Sequence, residues 1–141
     1  ILPITLVTTL EAAEREIDQL RARCDALLIT NLNALLDRGG KPIPETAVIG
    51  PLAKRYGKVT MGTSPFHVKS GALLTVANSG VEQGTLAAGM LLDCLRGTPI
   101  KDLPITRNRR GQCIINLKAM RALGIQPVPA TLVGVTFYED E

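Results

Sequence analysis

The chain has 141 residues, the size of one ordinary domain, which excludes two large independent domains. Apolar residues make up 45% and aromatic residues only 3%, which is typical of a globular protein with an aliphatic core and argues against an aromatic platform for single-stranded nucleic acid. The 16 basic and 13 acidic residues are interleaved and leave a net charge of +3, so we expect no nucleic-acid partner.

The beginning of the chain predicts a strand, a helix and a second strand. Residues 3–8 are apolar and β-branched, which favours a strand. Residues 10–24 change to helical spacing, with Thr8 and Glu11 at the spacing of a capping box. Residues 25–30 form the short apolar run of a buried parallel strand. Strand, helix and strand within about 30 residues match one parallel crossover unit.

The middle of the chain predicts further helix and strand units. Residues 31–44 are rich in Gly and Pro, which indicates a loop with a helical turn near its centre, at 33–38. A helix is expected over residues 45–56, disturbed at Gly50-Pro51 and stopped by Gly57. The elements that follow are a strand, a turn or short helix, and a strand, over 58–62, 63–70 and 72–77.

The strongest helical pattern in the chain covers residues 80–96. Ser79 and Glu82 have capping-box spacing at its start, and Gly97 closes it. The elements expected after it are two short strands, a helix and a Pro-rich tail: a strand near Ile105, a strand over 112–115, and a helix from Asn116 as N-cap to Leu123. Strands that alternate with helices predict an α/β fold with a mostly parallel sheet and helices on both faces.

Small hydrogen-bonding side chains follow three of the predicted strands, where ligands of parallel sheets bind. They are Thr30, Asn31 and Asn33, then Thr63 and Ser64, then Asn78 and Ser79. Hydroxyl and amide groups at converging strand ends suit the binding of a polar small molecule without a chemical change. Each of these residues is also an ordinary helix cap or turn former, and both interpretations stay open.

Patterns for catalysis, metal or cofactor binding are weak. The chain has no phosphate-binding glycine loop, no dinucleotide fingerprint and no nucleophile elbow. The single histidine, His67, has no partner that the sequence can name, which favours a solvated or structural residue over a general base. The three cysteines are far apart, which favours small buried hydrophobic residues over zinc ligands. We therefore expect no catalytic residue, no metal and no cofactor.

Four segments occur in the order DALLITNLN, VTMGTSPFHVKSGAL, EQGTLAAGMLLDCLRGTPIKDLPI and INLKAMRALG. This order resembles the C-terminal half of the ABC transporter substrate-binding proteins related to tryptophan and tyrosine binders. The resemblance covers about residues 4–125, and the LRGTPIKDLPI and INLKAMRALG segments are its specific part. It implies a type I periplasmic-binding-protein fold, in which two lobes close on a ligand at a hinge. Residues 1–141 would then be most of the second lobe, without the first half of the parent.

The resemblance also implies a ligand site. By position, Asn31 and Asn33 fall in one ligand-facing segment of the family, and Thr63 and Ser64 in another. With Phe66, from the candidate strand-end segment 63–66, the expected ligand-binding residues are Asn31, Asn33, Thr63, Ser64, Phe66 and Ser79. Ser64 stands where the family has an acidic residue, and Ser79 where its amino-acid binders have Asp. A buried ammonium group needs a carboxylate partner. The two serines therefore favour a neutral or anionic ligand over a free aromatic amino acid.

Two hypotheses on function follow. The first, implied by the resemblance, is solute binding outside the cytoplasmic membrane for an ABC transporter, or ligand sensing by a receptor with the same fold. Its partners would be a small-molecule ligand and, through the parent protein, a permease or signalling module, in a periplasmic or extracytoplasmic, membrane-associated location. The alternative is half of an interlobe active site in an α/β enzyme, which a nucleophile or an acid–base pair would distinguish. A regulatory domain fused to a signalling enzyme is a third hypothesis.

The helix over residues 80–96 also predicts an exposed apolar surface. It is apolar around more than one face, through Leu86, Ala87, Met90, Leu91, Leu92 and Leu95. Because the sequence starts at Ile1 without Met, we expect it to be a piece of a longer protein whose other half covers this surface. The isolated piece is accordingly expected to self-associate.

Overall fold

The computed structural model describes residues 2–107 and 109–139. In chain order its helices are α1 (Leu10–Arg23), α2 (Glu45–Tyr56), α3 (Pro65–Lys69), α4 (Gly80–Leu95) and α5 (Leu117–Ala122). Its strands are β1 (Ala26–Ile29), β2 (Val59–Gly62), β3 (Leu74–Asn78), β4 (Gly111–Asn116) and β5 (Val135–Tyr138). Two short 3-10 helices follow α4 and α5, at Ile100–Asp102 and Pro129–Leu132.

The five strands form one sheet in the order β1-β2-β3-β4-β5. The pairs β1–β2, β2–β3 and β4–β5 are parallel, and β3–β4 is antiparallel. The antiparallel pair arises because the chain leaves the sheet at Asn78 and re-enters opposite it, at Gly111, instead of returning to the other edge. A mostly parallel sheet with helices confirms the predicted α/β class.

One face of the sheet carries the core. Ile29, Thr60, Thr75, Ala77 and Ile114 on this face are buried. Helix α2 packs against β1 there, α3 against the central strands and α5 against β4. Helix α1 packs on α2 and completes the aliphatic cluster at this side.

The other face, on which helices were also expected, is open in the described part of the chain. The register aligns Leu28, Met61, Leu74 and Ile115 across neighbouring strands on this face. Leu28 is 55% exposed, and Val76, on the same face, is 53% exposed. The sheet therefore presents a broad apolar surface opposite its core.

Several helix predictions are confirmed at the residue level. Helix α2 has the predicted bounds and ends at Gly57, whose φ of 66° is the left-handed conformation of a C-cap. The predicted disturbance at Gly50-Pro51 is wrong, because the helix runs through Pro51 without a break. Next to this proline, Gly50 packs closely on the segment after α3, since a Cβ on Gly71 would lie 2.6 Å from the Cα of Gly50. Asn116 caps α5 as predicted, by accepting from the Ala119 N–H at 2.9 Å.

The predicted strand over residues 3–8 is wrong. Leu6 is 90% exposed, and the nearby Thr9 makes an isolated bridge to Leu36 instead of a ladder. An apolar β-branched segment becomes a strand only beside a partner strand, and the loop at Leu36 is too irregular to be one. The predicted capping box at Thr8 is also wrong, because Thr9 is the N-cap and accepts from the Ala12 N–H at 3.2 Å.

Three further predictions of local structure are wrong. The segment near Ile105 is exposed and irregular, since it lies beside no strand of the sheet. The predicted helical turn at 33–38 is a set of tight turns instead. The tail, expected to be irregular, contains β5, which follows Gly134 and adds to the edge of the sheet beside β4.

Candidate functional site

The carboxyl ends of β1 and β2 meet at one end of the sheet. Ile29 pairs with Gly62 as the last pair of the ladder. The Thr63 hydroxyl then donates to the Thr30 carbonyl at 3.1 Å, which ties the two strand ends together directly. The segments that follow, with Asn31 and Thr63, therefore start side by side.

The two asparagines of the first loop have different roles. The Asn31 side-chain oxygen accepts from the Asn33 backbone N–H at 2.8 Å, which is an Asx turn. Both side chains are exposed. The side-chain oxygen of Asn31 therefore shapes the turn. The NH₂ group of Asn31 and the side-chain amide of Asn33 offer hydrogen-bonding groups at the surface of this loop.

The second loop offers a hydroxyl and an aromatic ring. Ser64 is the N-cap residue of α3, but its side chain makes no capping hydrogen bond. Phe66 is partly exposed, and its ring centroid lies 4.3 Å from that of His67. Because α3 has only five residues, the position of these groups depends on what holds the loop beneath them.

Ser79 lies apart from the other candidate residues. The ladder between β2 and β3 ends at the pair Gly62–Thr75, and β3 continues for three more residues to Asn78. At about 3.3 Å per residue, Ser79 lies roughly 10 Å farther along the strand direction than Thr63. Its hydroxyl accepts from the Glu82 N–H at 3.2 Å, which confirms it as the cap of α4.

Two buried residues that the sequence did not place at the site connect the two loops from below. Glu45 Oε1 accepts from the Leu32 N–H at 2.6 Å and lies 3.3 Å from His67 Nε2. His67 Nδ1 accepts from the Thr63 N–H at 2.9 Å. The interpretation of His67 as a solvated residue is wrong, since it is 1% exposed, and the structural interpretation is right. No sequence signal links two residues so far apart in the chain.

Gly62 makes room for this histidine. A Cβ on Gly62 would lie 2.3 Å from the His67 Cβ, which is far inside van der Waals contact. The last residue of β2 must therefore be glycine for α3 to pack this closely. A glycine at a strand end before a histidine-containing loop is the only local hint of this contact.

The carboxylates near the candidate residues already have partners. Glu45 is buried under the first loop, and Glu82 in the first turn of α4 accepts from the backbone N–H groups of Arg109 and Arg110 at 2.9 Å each. These two hydrogen bonds hold the pKa of Glu82 below its ordinary value. The polar groups of the exposed Asn31, Asn33 and Thr63 and of the half-buried Ser64 are uncharged.

The described residues contain no cluster of three or more His, Cys, Asp or Glu side chains that could hold a metal ion. Cys24, Cys94 and Cys113 are unpaired thiols, partly buried rather than fully buried. Surface depressions of about 350 and 770 Å³ lie beside the start of α1 and between α4 and residues 104–107 and 109. Among the helices that the structure describes, none has the length and apolar character needed to cross a bilayer.

The sequence profile of the ABC transporter substrate binding protein family matches residues 51–135. This stretch is more than half of the chain, which therefore belongs to that family. It is a substrate-binding class of proteins and not an enzymatic one. No curated protein sequence matches the chain.

Three solved structures share the fold. A ligand-free, open substrate-binding protein with adhesive properties from Clostridium difficile has a TM-score of 0.76 and 17% identity over 96% of this chain and 43% of its own. A conserved domain protein from Vibrio cholerae has a TM-score of 0.61 and 17% identity, and the match covers 91% of this chain and 40% of that protein. An ABC domain in complex with L-Trp from Streptococcus pneumoniae has a TM-score of 0.60 and 18% identity, and the match covers 93% of this chain and 43% of that protein. The chain thus spans less than half the length of these proteins, and at this identity the likeness shows the fold alone.

Proposed function

We propose that this chain is most of one lobe of a solute-binding protein that works outside the cytoplasmic membrane, with its ligand at the carboxyl ends of β1 and β2. One observation carries the proposal. In a chain of a substrate-binding family, Thr63 ties two adjacent strand ends together where exposed amide and hydroxyl groups follow. Ligands of parallel sheets bind at this end.

The proposed ligand contacts come from both loops. Asn31, Asn33 and Ser64 supply amide and hydroxyl groups, and the half-exposed ring of Phe66 supplies an apolar surface. Ser79 contributes from a third segment, roughly 10 Å farther along the strand direction than Thr63. The ligand would be a polar small molecule with an apolar part.

The charges of these groups favour a neutral or anionic ligand. None of the proposed contact residues carries a carboxylate, and Glu45 and Glu82 are engaged with backbone N–H groups. An ammonium group enclosed here would lack a partner from this lobe, which is unfavourable. The proposal therefore disfavours free amino acids as ligands.

The partners and location follow from the family. The other lobe would close over the strand ends at a hinge, and an ABC permease or a signalling module would detect the closed form. The location would be periplasmic or extracytoplasmic, with the protein associated with the membrane. The alternative, half of an enzyme active site, gains no support from the buried Glu45–His67 pair, because neither side chain is exposed enough to touch a substrate.

The test is calorimetry on the full-length protein with matched pairs of compounds. L-Tryptophan is paired with indolepropionate and L-leucine with isocaproate, so that each pair differs by the ammonium group. We expect the carboxylic acids, or neutral metabolites in the same panel, to bind more tightly than the amino acids. Ser79→Asp should shift the preference toward the amino acid, because a charge-assisted hydrogen bond is worth about 1.5–3 kcal/mol against about 1 for a neutral one.

A second variant checks the location of the site. Asn33→Ala should weaken binding of the compound that binds best, whereas Gln19→Ala, an exposed polar residue on α1, should leave it unchanged. Tight binding of L-tryptophan by the unmodified protein, lost in Ser79→Ala, would contradict the proposed ligand class. Equal affinity in Asn33→Ala and Gln19→Ala would contradict the proposed location.

A further inference from the structure

We infer that Glu45 and His67 are positioning residues for the proposed site: the pair fixes the loop after β1 against the loop after β2 before any ligand binds. The inference rests on the proposed function. Neither residue touches a ligand, since both are buried beneath the loops. Their effect is transmitted through backbone N–H groups at the two strand ends.

The first step joins Glu45 to the loop after β1. The Leu32 N–H, between Asn31 and Asn33, donates to Glu45 Oε1 at 2.6 Å. Glu45 is the first residue of α2, where the helix dipole stabilises a negative charge. The carboxylate is thereby held at a fixed point, and Leu32 is held with it.

The second step joins Glu45 to the loop after β2. His67 Nδ1 accepts from the Thr63 N–H, so this nitrogen carries no proton and Nε2 does. The Nε2–H then donates to Glu45 Oε1 at 3.3 Å. A single carboxylate oxygen thus accepts hydrogen bonds that hold both loops, directly from the loop after β1 and through the imidazole from the loop after β2.

The third step concerns why the loops need this support. The Thr63 hydroxyl bond to Thr30 joins the strand ends, but beyond it β1 and β2 share no ladder. Asn33 and Ser64 lie beyond that last bond. Their relative position depends on the buried chain Leu32–Glu45–His67–Thr63, which lowers the conformational cost of binding a ligand between them.

The test compares variants that remove an acceptor with variants that keep it. Glu45→Met and His67→Leu abolish the acceptor, whereas Glu45→Gln keeps an oxygen at Oε1 and His67→Asn can place an oxygen near Nδ1. Tyr56→Phe is the matched control. It removes one partly buried hydrogen bond, to the Cys24 carbonyl at 3.0 Å, at the opposite end of β1.

The first readout is amide hydrogen exchange on this chain, which needs no ligand. We expect Glu45→Met to speed exchange at Leu32 and Thr63 by about tenfold or more relative to Tyr56→Phe, and Glu45→Gln to restore most of the protection. Nitrogen NMR of the His67 ring should show the proton on Nε2. Exchange rates no faster than in Tyr56→Phe, or a proton on Nδ1 only, would overturn the inference.

The second readout is calorimetry of the full-length variants with indolepropionate and isocaproate. Glu45→Met should lower the affinity of the better binder about tenfold, with Tyr56→Phe unchanged and Glu45→Gln close to the unmodified protein. Tight binding that Glu45→Met leaves unchanged would overturn this inference and leave the proposed function intact. The exchange experiment could show the expected coupling of the loops while calorimetry shows no binding of any compound in the panel. That result would overturn the proposed function, and the positioning role with it.

Discussion

Gly62 is the residue at which the packing of β2 and α3 is most sensitive to a single methyl group. In Gly62→Ala the new Cβ would lie 2.3 Å from the His67 Cβ, so the strand end or α3 must move. We expect a loss of about 1–3 kcal/mol in the free energy of unfolding, as in other overpacked cores. Chemical denaturation measures this loss.

Gly89→Ala is the control for that substitution. Nothing lies within 4 Å of a Cβ built at Gly89, which is in the middle of α4. Alanine is favoured over glycine in a helix by up to about 1 kcal/mol, so this variant should not be less stable than the unmodified protein. A Gly62→Ala protein as stable as Gly89→Ala would mean that the close contact with His67 is not required.

At the residue scale, the sequence predicted that polar side chains follow β1 and β2, but not the buried residues that support them. The residues at the ends of β1 and β2 could be found because polar groups after apolar strands are a local pattern. Glu45 and His67 are distant in sequence, and their contact exists only after α2 and α3 have packed. Ser79 could be predicted as a cap, but its distance from Thr63 depends on the length of β3 beyond the ladder.

Among the α-helices of the described part of the chain, α4 is the one without a buried residue. None of its residues is buried, and Leu91 and Leu95 are 62% and 76% exposed. This agrees with the predicted apolar surface. We expect the isolated chain to self-associate through this helix at high concentration, and Leu95→Lys to reduce the association without lowering the melting temperature.

Analytical ultracentrifugation over a concentration series measures this effect. Gln83→Lys adds the same charge at a polar, exposed position of α4 and should leave the association unchanged. If the unmodified chain stays monomeric throughout the series, self-association through α4 is ruled out.

The start of α4 has a pH-dependent connection to the two residues before β4. The pKa of Glu82 is lowered by the N–H groups of Arg109 and Arg110, so the carboxylate form favours the folded state. The contribution is fully present above the ordinary pKa of 4.5 and is lost as the pH falls through the lower folded value. Amide exchange at Arg109 and Arg110 should therefore quicken, beyond the intrinsic pH effect, as the pH falls below 4.5.

Glu82→Gln is the control for this titration. The amide side chain keeps an oxygen acceptor but has no charge to lose, so the protection of the Arg109 and Arg110 amides should be weaker and should not change over the same range. A change of equal size in Glu82→Gln would show that another group causes it.

The elements that the sequence predicted well are those with strong local signals. Helix α2 and the cap of α4 follow from a C-terminal glycine and an N-terminal serine. Residues 3–8 and β5 could not be judged in this way, because a short apolar segment becomes a strand only if a partner strand lies beside it. That depends on the arrangement of the whole sheet.

At the scale of the whole molecule, the α/β class followed from the alternation of strands and helices, but the difference between the two sheet faces did not. Whether Leu28 or Ile29 faces the core depends on register and on which helices pack where. Apolar residues on both faces of a strand indicate that both are to be covered. In the described part of the chain only one face is covered.

A pair of substitutions on β3 tests this difference. Val76 lies on the open face and Ala77 on the covered one. Val76→Lys should lower the free energy of unfolding by less than about 1 kcal/mol. Ala77→Lys buries an unpaired charge, so it should lower the free energy of unfolding by several kcal/mol or prevent folding. Equal losses in the two variants would show that the open face is packed against something in solution.

The antiparallel pair of β3 and β4 has a mechanical consequence. The segment that carries α4 is joined to the sheet at two neighbouring points, Asn78 and Gly111, at the same end. A force on α4 away from the sheet would therefore load these two strands from one end and break their hydrogen bonds one after another, beginning at Asn78, instead of shearing them all at once. Unzipping of this kind needs far less force than shear, so α4 could be pulled away while β1 and β2, with the proposed ligand groups, kept their ladder.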